Sequence, residues 1–166
     1  MDSNNSAQLI KANLNSTKFI EANLSKADLS HASIQSANLK LADLSQANLV
    51  SVRLHYVNLT AANLSQTNFA GANLYDVNLT AANLSEADLK NVESFHQVNL
   101  CAANLTGANL VGLSLSSKKL TGANLNEAKL CGTDLSRTNL SNANLSLADL
   151  RGANLIATNL EKANLK

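Results

Sequence analysis

Leu59-Thr60-Ala61-Ala62-Asn63-Leu64 decides the fold, because its pattern recurs along almost the whole chain. A leucine returns every fifth residue. Asn or Asp precedes it, and a small residue stands one place earlier. Centres run from Leu9 in steps of five to Leu89, shift by one residue at Val92-Glu93-Ser94-Phe95, and resume from Phe95 to Leu165. That makes 17 and then 15 centres, 32 in all. Of these, 28 are Leu, and the others are Ile34, Phe19, Phe69 and Phe95. The position two before a centre is Ala, Val or Thr in 29 of 32 repeats, and the position just before it is Asn or Asp in 24 of 32.

A period of five suits neither regular element. On an α-helix, leucines five apart drift around the axis and form no stripe. On a straight strand, successive leucines would point to opposite faces. The chain must therefore change direction once per repeat, and Asn, Asp, Ser, Thr and Gly around each leucine are turn formers. Residues two apart share a side, so the centre and the small residue before it face inward while the intervening Asn faces out.

The number of sides follows from a longer repeat. Asn58–Val77 and the segment that follows it are alike, and similarity returns about every 20 residues, or four pentads. Four right-angle turns close a square coil. The 32 centres then make eight coils, a rod about 38 Å long at the usual spacing between β neighbours. The chain reads as one domain over residues 7–166, with a one-residue insertion near 92–95 and a disordered leader at 1–6.

This pattern resembles the pentapeptide-repeat family, and its A-N-L-rich form resembles the cyanobacterial members. The resemblance implies an all-β, right-handed, four-sided (quadrilateral) β-helix solenoid, and a family of diverse function, many of whose members have no known activity.

Composition excludes several classes. A net charge of +1, from 13 basic and 12 acidic residues, gives no clustered charge for nucleic acid or an acidic membrane. No charged, apolar leader and no 18-residue apolar run occurs, so no membrane association is expected and the chain reads as cytoplasmic. Cys101 and Cys131 fall in different coils and on different faces, and are expected reduced and outward-facing.

Assigning every fourth repeat to one face sorts the outward residues. Face 1 carries Gly71, Gly112, Gly132 and Gly152 two after its centres, where glycine suits a turn with positive φ, and His31 as a solvated residue. Face 3 is smooth, with Thr60, Thr80 and Thr121. Face 4 holds a column of hydroxyls, among them Ser25, Ser45, Ser65 and Ser85. Face 2, whose centres are Leu14, Ile34, Leu54, Leu74, Phe95, Leu115, Leu135 and Leu155, is different. Just after its centres come His55, Tyr75 and His96 in successive coils, with Tyr56, Asp76 and Arg53 beside them. Aromatic rings and Arg are favoured at protein-binding hot spots, so Arg53, His55, Tyr56, Tyr75, Asp76 and His96 form the candidate interaction patch. A stacked aromatic ladder that only stabilises the solenoid fits the same residues.

Other sites are weaker. His55 and His96 stand two coils apart, about 9–10 Å, too far to share one metal ion. A flat face lacks the enclosed pocket that catalysis usually needs. No catalytic residue, metal or cofactor is expected. Lys118 is anomalous: it fills an inward slot where small residues rule, and Leu113 overfills another. A buried ammonium is costly, so a local distortion over Leu113–Leu120 is expected to let Lys118 reach water.

The functional reading is a non-catalytic protein-interaction or structural scaffold with an unidentified protein partner. The alternative, a DNA-mimicking modulator of gyrase or another topoisomerase, is implied only by the family resemblance and is disfavoured by the +1 charge. A stacking platform for single-stranded nucleic acid on face 2 is disfavoured for the same reason. The last coil, with Leu155, Leu160 and Leu165, suggests weak self-association through the rod ends.

Overall fold

A computed structural model describes residues 6–166; Met1–Asn5, most of the expected leader, lie outside the described residues. The chain winds as a right-handed, four-sided β-helix. With one exception on face 2, the residue just before a centre bridges in parallel to its counterpart one coil on, 20 residues away up to Asn68↔Asp88, 21 across the insertion, as in Asn78↔Asn99, and 20 again from Asn99↔Lys119. The spacing confirms four pentads per coil.

The turn explains why five residues suffice. The amide three after a centre donates to the centre's carbonyl, as Ala62 N does to Leu59 O at 3.0 Å. Two after a centre, φ lies between 52° and 70° at every such position from Lys11 to Lys162 except Asn91. A positive φ at the third turn residue is what a type II turn requires. Most of these positions are not glycine, so the strain of the left-handed region is met by the closed ladder around it. At Gly71 space matters too, since a Cβ there would lie 3.0 Å from Ser51 Oγ.

Inside, the centres and the small residues before them form one continuous core. Leu29, Leu64, Phe69, Leu105 and Leu125 are fully buried, with Ala62, Ala82 and Ala103 between layers. Small residues are needed because the square interior is filled by four centres per coil. Thr133 and Thr138 occupy the same inward slot without leaving a hydroxyl unpaired, donating to Leu110 O and Leu115 O at 2.8 and 2.7 Å. Among the described residues no buried side-chain nitrogen or oxygen lacks a partner.

The outward Asn and Asp residues do two jobs. Their Oδ1 accepts the amide two residues on, as Asn63 Oδ1 does from Ser65 N at 3.2 Å, which fixes the turn. On face 4 their Nδ2 groups also donate from coil to coil. Asn63 bonds Asp43, Asn83 bonds Asn63, Asn104 bonds Asn83, and the chain of bonds continues through Asn124 and Asn144 to Asn164. The hydroxyl column beside it is structural: Ser65 Oγ and Thr106 Oγ1 donate to the same Asn residues.

Named strands occur on face 2. They are β1 (Ser33–Gln35), β2 (Arg53–His55), β3 (Asn73–Tyr75) and β4 (Ser94–His96), in the parallel order β1-β2-β3-β4. In these coils the tight turn bond is absent and the residue after the centre stays extended. From Leu115 onward the tight turn returns, with Lys118 N donating to Leu115 O at 3.1 Å.

Candidate functional site

The extended residues of β2–β4 place His55, Tyr75 and His96 in one outward column, in register with one another. The Tyr75 ring is the hub. It meets His55 edge-on at a centroid distance of 6.1 Å and Tyr56 edge-on at 5.5 Å. These are T-shaped contacts rather than a flat stack, and they use the positive edge of one ring against the face of another. His55 is further tied by Nε2 to Asn73 Oδ1 at 3.0 Å. Tyr56 is 57% exposed and Tyr75 37%, so much of the ring surface remains open to a partner.

The structure thus brings His55, Tyr56 and Tyr75 into contact and sets His96 beside Tyr75. Asp76 stands at the place of Tyr56 one coil on, and the two line a shallow hollow with Val57 and Asn78. Arg53 projects, exposed, from the start of β2 and is engaged by none of them. Among the described residues no three His, Cys, Asp or Glu side chains gather at a metal-binding spacing. Cys101 and Cys131 are free thiols, each half-buried.

Beyond β4 the regular stack fails on this face alone. Ala72 O accepts from both Glu93 N (2.9 Å) and Ser94 N (3.4 Å), so two residues oppose one, as in a β-bulge. One coil later no bridge joins Ser94 to Ser114, and the ladder resumes at Ser114↔Asp134. The flanking faces stay closed, through Asp88↔Asn109 on face 1 and Asn99↔Lys119 on face 3. A change of turn type is not enough to cause the break, because the tight coil of Leu14 pairs with the extended coil of Ile34 through Asn13↔Ser33, with Leu14 N donating to Ser33 O at 2.8 Å. What sets this step apart is the bulge at Glu93 together with the oversized Leu113 and Lys118 in inward slots.

The break opens a cavity of about 620 Å³ lined by Tyr75, His96, Val98, Asn99, Ser117 and Lys118 among others. A second hollow of about 250 Å³ adjoins it, lined in part by Lys90, Glu93, Leu113 and again His96 and Lys118. Lys118 is half-buried, and its Nζ donates to Ser116 O at 3.3 Å. Burial holds its ammonium below the usual lysine range. The distortion thus sits where Lys118 intrudes, and it gives the ammonium an opening. The cavity residues Gln97, Asn99, Ser117 and Lys119 escape sequence reasoning. A signal exists nonetheless: Glu93, Leu113 and Lys118 are the three exceptions to the small residue two before a centre, and all three border this break.

The model of the family of pentapeptide repeats matches the chain in 8 copies, spanning 7–46, 29–66, 53–91, 94–117, 119–155 and 130–166. The chain belongs to the pentapeptide-repeat family. Within 7–166 the matched ranges leave out only Val92, Glu93 and Lys118, the residues of the bulge and the break. Among solved pentapeptide-repeat and related structures, the chain is similar to trypsin-treated QnrB1, a plasmid-mediated fluoroquinolone resistance protein. That likeness has 18% identity, covers 97% of this chain and 90% of that one, and has a TM-score of 0.50. It is also similar to HetL, a pentapeptide repeat protein involved in heterocyst differentiation regulation from the cyanobacterium Nostoc sp. strain PCC 7120, at 29% identity, 96% and 87% coverage and a TM-score of 0.37. Rfr23, from the cyanobacterium Cyanothece 51142, shares 21% identity over 96% and 88%, with a TM-score of 0.18. The likeness to QnrB1 is one of fold. No curated protein matches the chain in sequence. Among the described residues no helix is long and apolar enough to cross a membrane.

Proposed function

We propose that this pentapeptide-repeat protein is a non-catalytic scaffold that docks a protein partner on face 2. The observation that carries the reading is the half-open cluster of His55, Tyr56 and Tyr75 on a rigid four-stranded platform, with His96 next in the column. Rings held by neighbours lose little freedom on binding, which is why aromatic anchors dominate hot spots. Arg53, exposed at the margin, suits a carboxylate on the partner, and Asp76 suits a donor. Faces 1, 3 and 4 repeat themselves coil after coil and bind mainly their own neighbours. The free thiols of Cys101 and Cys131 fit a reducing, cytoplasmic setting. Net charge of +1 gives the rod no DNA-like field, so a gyrase-directed DNA mimic is the weaker reading despite the shared fold with QnrB1.

The test replaces His55, Tyr56, Tyr75 and His96 with Ser together and compares capture of partners from the native cell extract. Loss of a partner captured by the unaltered rod, with circular dichroism unchanged, supports docking on face 2. A less stable rod that still captures the same partner would assign the rings to structure alone.

A further inference from the structure

We propose that the break in face 2 is a binding site for a small organic carboxylate with a flat, apolar body. The cavity of about 620 Å³ falls in the size range of small-ligand pockets, roughly 300–1,000 Å³. Its lining mixes two chemistries. The rings of Tyr75 and His96 offer flat, apolar surface. Ser117, Lys118 and Lys119 offer hydrogen-bond donors and positive charge.

Lys118 is the decisive group. An ammonium has three donors, and this one makes a single hydrogen bond, at 3.3 Å to Ser116 O. No carboxylate lies within ion-pair distance of it; the ion pairs of the described residues are Arg151–Asp149 and Lys162–Glu161. The charged groups facing the two adjoining hollows are Lys90, Lys118 and Lys119 against Glu93, with His96 beside them. In a chain of near-zero net charge this is a local excess of cations.

The backbone adds a donor. At the equivalent position one coil earlier Asp76 N bonds His96 O. Gln97 N, its counterpart at the break, has no backbone acceptor, and Gln97 lines the cavity. An unfilled N–H group and an unpaired, partly desolvated ammonium favour an anion. A carboxylate beside Lys118 supplies the opposite charge that offsets the desolvation depressing its ammonium.

The experiment titrates the full, isotope-labelled chain with 4-hydroxybenzoate, with its neutral amide 4-hydroxybenzamide, and with inorganic phosphate, following amide resonances. The expected result is saturable shifts confined to residues 96–99 and 116–119 with the benzoate, and binding weaker by about tenfold or more for the amide and for phosphate. Lys118→Met keeps the stem without the charge and is expected to weaken the benzoate by a similar factor, with the melting curve retained as a check on folding. Equal binding of benzoate and benzamide overturns the role of charge. Equal binding of phosphate overturns the flat body. Shifts on other faces, an unaffected Lys118→Met variant, or no saturable shift up to about 10 mM overturns the site. Lys118→Met leaves His55 and Tyr56 untouched, so this proposal and docking on face 2 fail separately.

Discussion

Ser94 and Ser114 occupy equivalent places on face 2 of consecutive coils, yet no bridge joins them. Their neighbours one face away, Asp88 with Asn109 and Asn99 with Lys119, pair normally. The rod is thus unzipped along one side for a single coil step. The opening coincides with a bulge below it, at Glu93, and an oversized inward residue above it, Lys118.

Hydrogen exchange should report this opening directly. Phe95 N has no backbone acceptor, whereas Leu89 N bonds Asn109 O at 2.9 Å and Leu100 N bonds Lys119 O at 3.1 Å. Local opening is easy where few bonds must break, so the Phe95 amide is expected to exchange about 100-fold or more faster than those of Leu89 and Leu100. Equal protection at the three amides in an exchange experiment read by NMR would place Phe95 in an intact ladder.

Lys118→Thr should close the break and stabilise the rod. Thr138 in the next coil holds the same slot and donates to Leu115 O at 2.7 Å; the counterpart acceptor for residue 118 is Phe95 O. Replacing a desolvated ammonium with a satisfied hydroxyl is expected to add on the order of 1 kcal/mol, or about 2–4 °C in melting temperature. The effect depends on pH with a definite sign. Burial depresses the Lys118 ammonium below its ordinary 10.5. Between that depressed value and 10.5 the unfolded chain binds more protons, so the stability of the unaltered rod rises with pH there. The advantage of the Thr variant should be full at neutral pH and shrink as pH approaches 10.5. Thermal melts across that range measure it.

The face 4 ladder should matter more than other surface Asn residues. Asn83 donates to Asn63 at 3.1 Å and accepts from Asn104 Nδ2 at 3.0 Å and Ser85 N at 3.2 Å. Asn99 on face 3 makes one side-chain bond, from Cys101 N at 3.1 Å. Asn83→Ala is expected to cost about 1–3 kcal/mol and Asn99→Ala about 0.5–1 kcal/mol in urea unfolding. Similar losses at both sites would show that the lateral ladder contributes little.

Tyr75→Ser removes both edge contacts of the ring cluster. The expected loss is about 1–2 kcal/mol, against well under 1 kcal/mol for Arg53→Ser, which ends no ring contact. If chemical denaturation gave equal, negligible effects, the rings would be held for a partner rather than for the rod.

Much of the fold was legible because each residue's fate depends on its neighbours in sequence. Alanine and leucine two apart share the inside, and asparagine between them caps its own turn, as Asn63 does for Ser65 N. The candidate patch was legible as a column, since Leu54, Leu74 and Phe95 stack in register. Its contacts were less so. Tyr75 meets Tyr56 edge-on, while Arg53 joins no one, and period alone does not orient a side chain. The positive φ two after nearly every centre extends to residues such as Lys11, Ala61 and Gln66, beyond the face 1 glycines such as Gly71 that the sequence marks for it.

A five-residue period with turn formers leaves the chain one way to bury its centres, so the square coil, its four pentads and its leucine core follow from local sequence. The tertiary structure was needed to show that face 2 carries extended strands from Ile34 to Phe95 and tight turns from Leu115, and that the coils of Phe95 and Leu115 do not join. Whether one coil's amides meet the next coil's carbonyls depends on the shapes of both coils together, and no single repeat contains that information.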